Sequence, residues 1–194
     1  MDGSLATLLG VALGVGLAAA TGLRVFPPLL VVAIAARAGW IPLNEGFQWL
    51  EATPVLITLG TAALVEALAY FIPGVDHLLD LLAGPAAVAA GVVVSASVMV
   101  HVPPSIMWPV AIIAGGSVAG LTKASAALIR AKTGLATVGL GNPVVSLLET
   151  LGATGVSILA IVAPLLCLIV VIALLVWTTH KARRLVFRWR ANRN

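Results

Sequence analysis

The 194-residue chain is expected to be an all-α polytopic membrane protein, on three observations. Sixty-one per cent of its residues are hydrophobic and 9% are charged, whereas a soluble domain is nearer a quarter charged. Mean hydropathy is +1.14, and a soluble fold of this size has too little interior to hide so much apolar surface. Apolar runs long enough to cross a bilayer recur along the chain, separated by Pro-Pro, Pro-Gly and Asn-Pro turns. The expected architecture is about five spanning helices plus two short re-entrant segments, arranged as an inverted repeat. The alternative is seven spans.

The first run covers residues 4–22. Nothing positive precedes it and no cleavage site follows, so it reads as a retained helix rather than a signal peptide. Gly10, Gly14, Ala18 and Gly22 recur every fourth residue, a stripe of small side chains that lets another helix approach closely. The partner would be a helix of the same chain or, in a homodimer, of a second copy. At Arg24-Val25-Phe26-Pro27-Pro28 the helix must break, because consecutive prolines free backbone carbonyls. Residues 25–36, between Arg24 and Arg37, would form about 18 Å of helix. That is too short to span, and favours a segment that enters and returns.

A connector with Glu45, Trp49 and Glu51 follows; Trp40 and Trp49 suit a membrane interface. Residues 54–72 form a span containing Glu66, ended by Pro73-Gly74. Asp76, His77 and Asp80 open the next helix, which runs to residue 100. After a turn at His101, Pro103 and Pro104, residues 105–121 span again. The second short apolar stretch, 124–129, lies between Lys123 and Arg130 in an alanine-rich basic segment. Gly141-Asn142-Pro143 is a turn leading into residues 144–151 with Glu149. The last span, 153–179, is longer than a bilayer requires and is expected to tilt or bend at Pro164.

A shift of 98 residues (22 to 120) superposes Gly22-Leu23 on Gly120-Leu121, Asn44 on Asn142 and Leu50-Glu51 on Leu148-Glu149, with Arg24 landing beside Lys123. If both short segments re-enter, each unit crosses twice around one linking helix, which inverts the second unit. The resulting division is 1–80 as the first unit, 81–101 as the linking helix, 102–179 as the second unit and 180–194 as a basic tail. That tail holds six of the eleven basic residues: Lys181, Arg183, Arg184, Arg188, Arg190 and Arg193. Beside a membrane helix such a cluster reads as a topology signal and lipid contact rather than a nucleic-acid site, with the C-terminus cytoplasmic and the N-terminus outside. The single cysteine, Cys167, sits in an apolar run and reads as a small core residue.

Ionisable groups at membrane depth are costly and mark candidate sites. Glu66, well inside a span, is the candidate proton-coupling residue. Arg24 and Lys123, matched by the repeat, are candidates to hold a phosphate or carboxylate, Arg by paired hydrogen bonds and Lys as a point charge. Glu51 and Glu149 are candidates for the same binding site, as countercharges of Arg24 and Lys123 or as the pair that releases cargo by exchanging partners. Asp76 and Asp80 share a helical face with His77 beside them. Capping of the helix start explains them better than a metal site, so no metal is expected. Arg37, Arg130 and Lys132 read as interfacial. No nucleophile–base pair, phosphate loop or zinc spacing is present, so neither an enzyme nor a cofactor is expected.

The chain resembles a family of small bacterial membrane proteins known as domain of unknown function 4126. The resemblance rests on Gly22-Leu23-Arg24-Val25-Phe26-Pro27-Pro28-Leu29-Leu30 with Ala36-Arg37-Ala38-Gly39, on Ile72-Pro73-Gly74-Val75-Asp76-His77-Leu78-Leu79-Asp80, and on Asn142-Pro143-Val144-Val145-Ser146-Leu147-Leu148-Glu149. It implies a bacterial inner-membrane location and transfers no catalytic residue. The functional expectation is a small transporter or flippase-like protein for an anionic small molecule or a phosphate-bearing lipid headgroup, with coupling at Glu66. The competing expectation is a non-transporting scaffold whose polar residues glue helices together and whose tail contacts a partner.

Overall fold

Residues 3–69, 75–137 and 141–191 are described by a computed structural model; the side chains at 75–81, 135–137, 142, 179 and 181–191 are outside that description. The described chain is helical throughout, with no strand among these residues. The elements in order are α1 (Gly3–Leu23), α2 (Phe26–Arg37), a 3-10 turn (Glu45–Glu51), α3 (Thr53–Ala69), α4 (Val75–Ser97), α5 (Pro104–Val110), a π turn (Ala111–Gly116), α6 (Ser117–Thr137), α7 (Asn142–Val162) and α8 (Pro164–Ala191).

The molecule is a membrane protein. Three described helical stretches are long and apolar enough to cross a bilayer: Gly3–Leu23, Pro104–Gly134 and Pro143–Val162. A fourth is obtained if the 3-10 turn and α3, bent by 68°, are counted as one span. Large apolar side chains such as Ile57, Leu64, Ile113, Leu151, Val162 and Ile169 point outward, the pattern of a bundle that faces hydrocarbon rather than water. Trp40, at 77% exposure, and Trp49 stand out from the connector as an interfacial pair would.

α1 is the axis of the bundle. Of its most apolar window 61% is buried, against 28% for each of the other two long stretches, and it packs on α4, α6, α7 and α8. The glycine stripe explains how. A Cβ at Gly22 would collide with the Ala119 carbonyl oxygen on α6, and one at Gly14 would lie 2.8 Å from Ser95 Oγ on α4. The stripe therefore serves packing within the chain, the first of its two expected roles.

Three expectations are corrected. The stretch 124–129 is no separate re-entrant segment: α5, the π turn and α6 run on as one helical stretch through Lys123 and Arg130. Alanine-rich helix with no proline after Pro109 has nothing to break it, and the parity argument for an inverted repeat loses its second hairpin. The segment 144–151 is the first part of α7, which continues to Val162. At Pro164, where one bent span was expected, the chain starts a new helix. Ala163 leaves helical geometry (φ −142°, ψ 73°) as residues before proline tend to. The irregularity that does occur in the middle of a span is the π turn at Ala111–Gly116, following Pro109 and ending in a Gly pair.

Candidate functional site: a buried ionic network at the α1 break

α1 ends at Leu23 because Pro27 and Pro28 cannot continue it, and α2 begins two residues later. Two consequences follow. The prolines bring no N–H, so the free amides at the start of α2 are those of Val25 and Phe26. Both are taken by one side chain: Glu66 on α3 accepts from Val25 N–H through Oε1 at 3.0 Å and from Phe26 N–H through Oε2 at 3.1 Å. The positive end of the α2 dipole thus meets a carboxylate supplied by the chain itself.

Arg24, at the break, is 2% exposed. Its guanidinium donates to the Ser146 hydroxyl at 2.5 Å and the Ser146 carbonyl at 3.1 Å on α7, and to the Glu66 carbonyl at 3.5 Å. It also stands 3.6 Å from Glu149 Oε2. The same oxygen receives Arg130 from α6 in a close ion pair. Lys123, two turns earlier on the same face of α6 and also buried, adds its positive charge within electrostatic range of that carboxylate. Such a group is held together tightly, since removing one member strands the others in a low-dielectric interior.

Four residues singled out from sequence, Arg24, Glu66, Lys123 and Glu149, therefore converge. Glu51 does not join them. It sits in the 3-10 turn, partly exposed, with its carbonyl accepting from Arg37 at 3.1 Å. Arg37 closes the far end of α2, about 18 Å of helix away from Arg24. Asp76, His77 and Asp80 fall in the first turns of α4, and their side chains lie outside the described residues. The arginines and lysine of the tail are outside them too. Sequence reasoning missed Arg130, placed at the interface but buried at 6% exposure, and Ser146. Spacing shows only that Lys123 and Arg130, seven apart, and Ser146 and Glu149, three apart, share a helical face; that the two faces meet is not written in it.

Two apolar grooves adjoin the network. One, of about 390 Å³, runs between α1, α6, α7 and α8, walled by residues such as Leu23, Ile129, Leu148 and Leu174, with Glu149 among them. The other, of about 640 Å³, is framed by α2, α3 and α4 and lined by Phe26, Thr58, Thr61 and Glu66 among others. Each apolar groove thus carries one of the two buried carboxylates.

The family model described as a domain of unknown function (DUF4126) matches residues 11–184. The chain belongs to the DUF4126 family. The match takes in α1 from Val11 onward, the break at Arg24 and the whole network through Glu149, so the site described here lies inside the family domain. No curated protein and no solved structure matches the chain.

Proposed function

We propose that this DUF4126 protein is a small transporter or flippase-like protein that binds a phosphate-bearing lipid headgroup. The observation that supports this reading is the position of Glu149. It is bridged by buried Arg24 and Arg130 and also lines an apolar groove open to the membrane. Cationic side chains beside an apolar channel suit an amphiphile, with the phosphate taken by the guanidinium groups and the chain by the groove. Glu149 then serves as the resident anion that a phosphate displaces. Glu66 is the coupling group in this scheme. On taking a proton it keeps its carbonyl oxygen as an acceptor but weakens the bond to the other amide of Val25 and Phe26, loosening α2 beside the second groove. The protein sits in the bacterial inner membrane, N-terminus outside, with the basic tail on the cytoplasmic leaflet.

The test is translocation of an acyl-labelled phospholipid in vesicles containing the full-length protein. Arg24→Gln and Arg130→Gln should each abolish protein-dependent translocation, whereas Arg37→Gln, outside the network, should keep it. A protein that moves no phospholipid above protein-free vesicles, yet loses its cellular role when the tail after Thr179 is removed, would be the scaffold instead.

A further inference from the structure

The two halves of α3 are held in different ways. The first half is seated by apolar contact: Val55, Leu56 and Leu59 pack against the buried core. Arg37 fastens the same end, donating to the Glu51 carbonyl at 3.1 Å and the Thr53 hydroxyl at 2.8 Å. Beyond Leu59 none of the described α3 side chains joins that core, and Glu66 is the one that is buried. Leu64 and Leu68 point outward, while Thr61 and Val65 border the groove whose opposite wall is Leu82, Ala83 and Ala86 of α4. The polar hold on this half is Glu66. Its carboxylate takes the Val25 and Phe26 amides, and its carbonyl accepts from Arg24 at 3.5 Å. The halves meet at Gly60. An added Cβ there would touch nothing within 4 Å, so close packing does not call for a glycine that weakens the helix. On either side of it Thr58 and Thr61 donate back to the Pro54 and Ile57 carbonyls, both at 2.8 Å, a bond that slackens and bends helices.

We infer that the second half of α3 is a flap over the groove between α2, α3 and α4, swinging about Gly60 and latched by Glu66. A segment with few buried apolar contacts is the part of a fold that opens at least cost, and a hinge is a small set of residues that absorbs the backbone change. From Gly60 to Ala69 the helix is about 14 Å long, so a swing of about 20° carries its far end about 5 Å. Swung out, the flap widens the groove and uncovers the Val25 and Phe26 amides at the positive end of α2. Access from this groove to the break beside Arg24 is then set by the latch. The flap goes beyond the lipid-binding reading and does not depend on it.

The experiment measures spin-label distances in the full-length protein, in a Cys167→Ser background, by double electron–electron resonance. One pair of labels joins Leu68, at the far end of α3, to Ile172 on α8; the other joins Ile57, in the seated half, to the same reference. Glu66→Ala should shift the Leu68 distance by about 5 Å, the swing worked out above, and leave the Ile57 distance unchanged. Glu66→Gln, which keeps one acceptor oxygen, should give a smaller shift in the same direction. Gly60→Ala leaves the latch intact and should narrow the Leu68 distribution relative to the unsubstituted helix, so the hinge is tested even if both Glu66 variants fail to fold. Leu68 distributions that are the same with and without Gly60 and the Glu66 carboxylate overturn the inference. Equal shifts of both pairs overturn it too, since α3 then moves as a whole. No substrate enters this measurement, so a protein that moves no phospholipid would lose the transport reading and keep the flap.

Discussion

Arg24, at the break after α1, and Glu149, in the middle third of the chain's penultimate helix, stand 3.6 Å apart with both side chains buried. Arg130 closes on the same carboxylate from α6. One carboxylate on α7 thus ties the neighbouring helix α6 to the break after α1, more than a hundred residues earlier in the chain.

Removing that carboxylate should therefore be among the most damaging single changes in the chain. Glu149→Ala leaves two buried guanidinium groups beside a void, and breaking a buried pair from one side typically costs about 3–5 kcal/mol. Thermal unfolding in detergent should show the loss. The double change Arg130→Met with Glu149→Leu should recover part of it, since an apolar replacement of a whole buried pair is often tolerated. Additive losses in the double variant would mean that the two groups do not act as a pair.

Glu66 closes the start of α2. Glu66→Ala strands the amides of Val25 and Phe26 and should cost about 1–3 kcal/mol. Glu66→Gln keeps one acceptor oxygen and should lose less. A Gln variant as unstable as the Ala variant would show that the negative charge at the helix start matters more than the acceptor count.

Close approach of α1 to α6 depends on Gly22. Gly22→Leu drives a side chain into the Ala119 carbonyl and Thr122 and should destabilise by at least about 1–3 kcal/mol, the usual cost of overpacking. Gly46→Ala, where the added methyl meets nothing within 4 Å, is the control and should be close to neutral. Comparison of melting midpoints in one detergent decides it.

Cys167 is 1% exposed, packed against Gly16 of α1. In the folded protein it should resist a maleimide reagent and react fully once the chain is denatured. Rapid labelling of the folded protein would show that α8 parts from α1.

The depth of α2 is tested in a Cys167→Ser background with single cysteines at Phe26 and Trp40. A re-entrant α2 labels at both ends from the same side of the membrane. Labelling from opposite sides makes it a crossing helix.

Much of this molecule is legible without coordinates. Composition places the chain in a membrane, and continuous apolar runs of helix-spanning length, rather than the short alternating strands of a barrel, make it a helical bundle. Proline chemistry places the break after Arg24, and the four-residue glycine spacing marks the face by which α1 packs. Tertiary structure decided the rest. Whether Lys123 and Arg130 bound a hairpin or lie on one continuous helix depends on their neighbours, since basic flanks look the same in both cases. Arg130 is buried rather than interfacial because α7 delivers Glu149 opposite it, a long-range pairing that no local pattern encodes. The role of Glu66 was likewise out of reach: a carboxylate in a span announces that something must pay for its burial, and only the fold showed that two amides at the α2 start do so.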